Sequence, residues 1–403
     1  MKKPAFSSVL GNRGFLFLWL SQFTCQMADR MFSYVLIILA FDLTHSNLGV
    51  SVPMLAFGLA AIIFGPLAGV FVDRWPKKNI MISSNILRGL LILVFPFVQL
   101  FSHSLLNIFV FCFLIFTIAQ FFIPAENSSI PELVPGSDLI LANSLFMGMW
   151  MFSSIIGFGL AAPLVNFTGE VGTYAVVTGL YFLSALFILT IPVRKKFAAE
   201  TNSFRSVVKE LKNGLSFVMR HLVVTFSLIK LFIATAALAA ISVLALGYSE
   251  AILKIGSRNF GYLVLSAGAG MIMGIYFIGH FSPWFKHSRL ILFGFLVAGF
   301  SLVFLSAISN IYLTLLLIFL LGFGNALVTA PLQTVIHENT PENLRGRVSG
   351  ILGMLVNSAF TFPAVAGGWF ADIFGLRVTI LALGLLLLGG GLLNFLPEWF
   401  REV

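Results

Sequence analysis

The sequence predicts an all-α membrane protein, with twelve transmembrane helices forming two pseudo-symmetric six-helix bundles. Three observations carry that expectation. Of 403 residues, 59% are hydrophobic and only 10% charged, and the mean hydropathy is +1.02. Soluble domains carry roughly a quarter charged residues, and a globule of this size has no interior large enough to hide the excess. Mostly apolar runs of about 20 residues, the length that crosses a hydrocarbon core, recur twelve times. Finally, Pro135 matches Pro341 and Gly169 matches Gly375, each pair 206 residues apart, an offset of half the chain that a duplicated six-helix unit would produce.

In chain order the runs lie at 14–41, 48–72, 79–101, 104–125, 138–166, 172–192, 221–248, 258–281, 290–309, 311–335, 346–371 and 376–397. Spanning strands would have to close into a barrel and alternate at period two, and these runs do not alternate. The first run follows "MKK", as in a signal peptide. It is too long for one and shows no small-residue cleavage site, so a retained first helix is expected. The 45 Phe and 36 Gly residues suit helices packed closely in lipid.

Charge placement sets the expected orientation. Eighteen of the 24 Lys and Arg residues fall on one side if both termini are cytoplasmic, the bias that orients membrane helices. A multi-pass plasma-membrane protein with both termini cytoplasmic is expected. The net charge of +9 is spread over these loops rather than gathered on a soluble domain, so no nucleic-acid partner is expected. The longest polar segment, 194–220, carries Phe204, Val207, Val208, Leu211 and Leu215 at helical spacing. It reads as a basic amphipathic linker lying on anionic lipid. The domains expected are therefore a bundle at 1–193, the linker at 194–220 and a bundle at 221–403. Duplicated bundles place substrate at their interface, near the bilayer midplane.

Charge inside a span costs on the order of 3 kcal/mol per residue, so its presence is informative. Asp29, Arg30, Arg88 and Lys230 qualify. Asp29, the acid placed well inside a predicted span, shares a polar stripe with Gln22, Gln26 and Ser33 at spacings of four, three and four. A carboxyl raised by burial and lowered by a nearby cation can take and release a proton. Coupling or substrate binding at Asp29 is one reading; a static pair with Arg30 or Lys230 is the other. Lys230 is a counter-charge or a binder of anionic groups, and Arg88 reads as a structural charge. Asn325, Thr329, Gln333 and His337 recur every four residues on the tenth run, and Thr117 and Gln120 mark the fourth; all six are candidate cavity-lining residues. Cys25 and Cys112 make neither a disulfide framework nor a metal set. With no phosphate-cradling loop and no His/Glu metal motif, no cofactor or metal is expected, and no enzyme.

The stretch "GPLAGVFVDRWPKKNIMI" places Gly69, Asp73, Arg74, Lys77 and Lys78 between the second and third runs. It resembles the loop signature of the major facilitator superfamily, with Pro76 in place of the second glycine. "LRGRVSG" at 344–350 and the opening from Phe17 to Val52 resemble that family's macrolide-efflux and enterobactin-exporter branch. The resemblance implies alternating access, with Asp73 and its basic neighbours forming a conformational latch on the cytoplasmic side. It also implies that the first and seventh helices line the cavity. The exporter signature of the fifth helix is kept in small residues, Ser144, Ser153, Gly157, Ala161 and Ala162, but Phe158 stands where the family has proline. The expected function is a secondary active exporter, monomeric and proton-coupled, of small amphipathic or hydrophobic molecules such as drugs, macrolides or siderophores. A lipid or lysophospholipid flippase and a transport-inactive receptor or scaffold are the alternatives.

Overall fold

The computed structural model describes residues 9–72, 75–191, 214–281, 284–341 and 344–393, and they contain helices and no strand. The elements are α1 (Arg13–Thr44), a short α2 (Asn47–Val50), α3 (Val52–Val72), α4 (Lys77–Phe101), α5 (Leu105–Leu133), α6 (Leu139–Leu189), α7 (Leu222–Gly247), α8 (Gly261–Phe281), α9 (His287–Ala307), α10 (Ile311–Glu338), α11 (Arg345–Phe374) and α12 (Leu376–Leu392). Every predicted run has its helix. Helix α6 holds two of them, broken at Gly169, whose φ of 69° lies in the left-handed region that glycine tolerates best. Gly375, its counterpart half a chain later, separates α11 from α12 with φ of 87°. The duplicated positions thus mark the same backbone event twice. Among the described residues nine helices are by themselves long and apolar enough to cross a membrane; α6 counts once, α12 is a shorter apolar helix, and α1, which carries Asp29 and Arg30, is not among the nine.

The chain divides into two compact units, one of Met1–Leu43 and Leu59–Thr201, the other of Thr44–Gly58 and Asn202–Val403. In the first, Phe32, Phe95, Phe111 and Tyr174 form an edge-to-face aromatic cluster, with ring centres 5.0–6.3 Å apart. In the second, the helix backbones meet through glycine. A Cβ at Gly322 would lie 2.0 Å from the Ala267 carbonyl oxygen, and one at Gly270 1.9 Å from that of Phe319, so α8 and α10 touch along these positions.

Helix α2 belongs to the second unit and is held there by a carboxylate. Asp372, near the end of α11, accepts hydrogen bonds from the Ser46 hydroxyl at 2.5 Å, the Asn47 amide and side chain at 2.9 Å each, and the Leu48 amide at 3.0 Å. Those amides are the unpaired donors at the start of α2, where a negative charge is favoured. The backbone allows the approach because Gly247 and Gly368 lie against Asn47.

Two boundaries differ from the sequence expectation in a way that matters for function. The fourth run ends at 125 by hydropathy, but α5 continues through the polar stretch to Leu133. The tenth extends similarly to Glu338. Segment 194–213 of the predicted amphipathic linker lies outside the described residues; 214–220 are helical.

Candidate functional site: a buried carboxylate–guanidinium junction

In the first unit α1, α4 and the second arm of α6 meet along a polar seam. Ser21 and Ser184 exchange a hydrogen bond at 2.8 Å, and Asn85 donates to the Ser184 hydroxyl at 2.7 Å. One turn on, the seam becomes ionic. Arg88 Nη1 donates to both oxygens of Asp29, at 3.3 and 3.4 Å. Its Nη2 donates to Asn85 Oδ1 at 2.5 Å and to Cys25 Sγ at 3.1 Å, and its Nε reaches the Ser84 carbonyl at 3.4 Å. The Tyr181 hydroxyl donates to Asp29 Oδ1. The guanidinium carbon lies 4.7 Å from the Tyr181 ring centre and 5.1 Å from that of Phe122, an arrangement that favours a cation.

This geometry corrects the pairing expected for Asp29. Its cation is Arg88, rather than Arg30 or Lys230. Arg88, read from sequence as a structural charge with an unnamed partner, is the centre of the junction and only 1% exposed. Neighbouring residues on a helix point about 100° apart, so Asp29 faces α4 and α6 while Arg30 turns toward the first arm of α6. There Arg30 Nε donates to the Ser154 hydroxyl at 3.1 Å, and Gly157 packs on its Cβ. The Asp29 side chain retains 17% exposure. It is partnered yet reachable, which a proton carrier needs.

The remaining stripe residues stay local. Ser33 donates to the Asp29 carbonyl at 2.7 Å, Gln22 is buried and Gln26 half-buried. Lys230 is fully buried in α7. Asn325 crosses from α10 to the Ala234 carbonyl of α7 at 3.2 Å, and Thr329 bonds back to the Asn325 carbonyl at 3.0 Å. Gln333 and His337 continue that row as exposed residues, while Thr117 and Gln120 are half-buried on α5.

Of the loop motif, Asp73 and Arg74 lie outside the described residues, and Gly69 falls within the last turn of α3. The lysines are engaged inside the first unit. Lys77 pairs with Glu132 at 2.7 Å and donates to the Ser128 carbonyl at 2.9 Å. Lys78 donates to the carbonyls of Leu189 and Ile191 at 2.7 and 2.8 Å, so its charge sits at the negative end of α6.

Sequence reasoning does not single out Tyr181 or Asn85, which are ordinary polar residues in apolar runs, and it also misses Glu126. Glu126 was placed beyond the fourth run, leaving Asp29 as the only acid inside a span. Because α5 continues, Glu126 is inside a helix and only 4% exposed. It extends the buried row Ile115, Ala119 and Phe122 at spacings of four, three and four. That row of spacings, carried past the drop in hydropathy, was the signal available in the sequence.

The comparisons with known proteins agree with this architecture. A family model described as Major Facilitator Superfamily matches residues 18–364 and 252–401. The chain is 27% identical to the uncharacterized MFS-type transporter YfiS of Bacillus subtilis, over all of this chain and 96% of that one. It is 25% identical to the multidrug efflux pump Tap of Mycolicibacterium fortuitum, over 89% of each. Macrolide efflux protein A of Streptococcus pyogenes is 22% identical over 93% of each. Among solved structures, the nucleoside transporter NupG superposes with a TM-score of 0.77 at 12% identity, over 94% of this chain and 98% of that one, a likeness of fold.

Proposed function

Because the chain belongs to the Major Facilitator Superfamily, we propose that this multi-pass membrane transporter is a proton-coupled exporter of small amphipathic or hydrophobic molecules, with Asp29 and Arg88 as its coupling pair. The observation that carries the reading is the junction itself. A carboxylate inside a span is tied at once to a buried guanidinium and to a tyrosine hydroxyl, on three different helices. Arginine stays charged under all working conditions, so only the carboxyl can change the charge of the pair. Protonating Asp29 removes its attraction to Arg88 and lets α1 move against α4 and α6. Deprotonation restores the tie, because an unpaired guanidinium at this depth is costly. A proton thereby biases a two-state element, which alternating access requires.

The efflux names of Tap and macrolide efflux protein A support export of drug-like solutes. The abundance of Phe among few fixed charges suits a solute that is itself largely apolar. In this reading the protein works as a monomer in the bacterial inner membrane with both termini cytoplasmic. The 69–78 loop acts as the cytoplasmic latch.

The test is purified protein in liposomes under an imposed pH gradient, with erythromycin, ethidium and a fluorescent lysophospholipid as separate probes. Gradient-dependent flux of erythromycin or ethidium is expected. Movement of the lysolipid alone, independent of the gradient, would replace this reading with a flippase. The orientation is checked by cysteines introduced at 194–220, which should resist an impermeant thiol reagent on intact cells.

A further inference from the structure

Beside the Asp29–Arg88 pair stands a carboxyl group that the hydrogen bonding leaves unused. Oε1 of Glu126 is buried and accepts no hydrogen bond among the described residues, while the side chain as a whole is 96% buried by its 4% exposure. The Glu126 carboxyl lies within electrostatic range of the Arg88 guanidinium and the Asp29 carboxyl. Arg88 itself rests on Phe122, one turn earlier on the same helix. The donors of Arg88 are directed at Asp29, Asn85, Cys25 and the Ser84 carbonyl, so Glu126 is near the guanidinium without being bonded to it. A buried carboxylate with an empty acceptor and no ion pair would leave a large desolvation cost uncovered. Two states relieve it: a proton on Glu126, or transfer of Arg88 from Asp29 to Glu126.

We propose that Glu126 is a second proton-binding group of the site, alternating with Asp29 for the single guanidinium of Arg88. This deepens the coupling role given above to Asp29 and rests on it. In one state Glu126 holds the proton and Arg88 pairs with ionised Asp29, the pairing seen in the structure. In the other, Asp29 holds the proton and Arg88 pairs with ionised Glu126. Between them one O–H bond breaks on one carboxyl, one forms on the other, and the total charge of the three groups is unchanged. The titratable and charged groups that act on Glu126 are Arg88 from α4 and Asp29 and Cys25 from α1; Tyr181 of α6 reaches the site through its bond to Asp29, and α3 carries none. Position gives the alternation a direction. Glu126 is seven residues from the end of α5 at Leu133, about 10 Å along a helix, toward the same end where Lys77 meets Glu132. Glu126 is thus the step between the Asp29 pair and the loop side of the membrane.

Infrared difference spectroscopy of the purified protein in lipid tests this without any substrate. Protonated carboxyls give a C=O band that shifts in D2O, and a pH titration shows which bands come and go. Wild type is expected to show two titrating buried carboxyl bands. Glu126→Gln should lose one, Asp29→Asn the other. Glu126→Asp should move the Glu126 band without abolishing it, and it serves as the probe where the Gln variant does not fold. A Glu126→Gln spectrum identical to wild type overturns the inference and leaves the Asp29 reading standing. So does a Glu126 band that is present at every pH, or one that disappears only on adding Na+, because a fixed proton or a metal cation is then its occupant. If instead both bands survive Asp29→Asn, it is the coupling role of Asp29 that fails.

Discussion

In the first unit a buried guanidinium bonds to side chains of two helices and stacks against rings of two more. In the second, α8 and α10 are joined by bare backbone, with Gly270 and Gly322 in contact with carbonyl oxygens. The duplicated architecture is the same, down to the paired kinks at Gly169 and Gly375. The means of cohesion are different. Glycine contacts are non-polar, short-ranged and indifferent to pH. A carboxylate–guanidinium pair is a charged contact that a single proton on the carboxyl weakens. The difference teaches that one helix framework, used twice, is held together by different contacts in its two copies.

The contrast can be broken at its strongest point first. Arg88→Met strands Asp29 in the membrane without its cation, and removing one partner of a buried pair costs about 3–5 kcal/mol. A large fall in the melting temperature of the purified protein is expected. Most of that loss should be recovered in Arg88→Met/Asp29→Leu, since removing both partners is far less costly than removing one. Failure of the double variant to recover would mean that the pair is not the source of the cohesion.

The second unit should fail by crowding. A methyl at Gly322 would meet the Ala267 carbonyl at 2.0 Å, and forcing such helices apart costs about 1–3 kcal/mol. Gly279→Ala, on the same face of the problem but with nothing within 4 Å of the added carbon, should be neutral or slightly stabilising, because alanine is the better helix former. Equal melting temperatures for Gly322→Ala and Gly279→Ala would remove close backbone packing from the account.

Polar contacts at the helix ends should matter less than either. Asp372→Ala deletes the acceptor of four hydrogen bonds at the start of α2, and an exposed acceptor at a helix start is worth about 0.5–2 kcal/mol. Protease cleavage near 44–50 should speed up accordingly. Lys78→Ala removes a charge from the end of α6 and should lower stability by about 0.3–1 kcal/mol, the smallest loss of the set.

How much of this was legible in the sequence follows from what each signal depends on. The twelve helices were legible because length and hydropathy alone decide what crosses a membrane. The kinks at Gly169 and Gly375 were legible because they repeat at half the chain. Asp29 stood out for the same reason that it is costly, a charge in an apolar run. Its partner did not. Arg88 lies 59 residues away, and which of four intramembrane charges meet depends on helix rotation, which hydropathy does not encode. Glu126 was lost at a boundary: "ENSSIPE" looks like a loop by polarity, yet Lys77 and the packed row behind it keep α5 helical. Asp372 was similarly overlooked, since its role comes from amides on a distant short helix.

The central claim is that the charge of Asp29 couples a proton to transport. It is tested most directly by reconstituting Asp29→Asn in liposomes and measuring, side by side, efflux of the probe driven by a pH gradient and exchange of the probe down its own gradient. The account predicts that gradient-driven flux is lost while exchange persists, because asparagine keeps the shape of the junction and cannot carry the proton. Gradient-driven flux at the wild-type rate in that variant would contradict it and place coupling outside the Asp29–Arg88 pair.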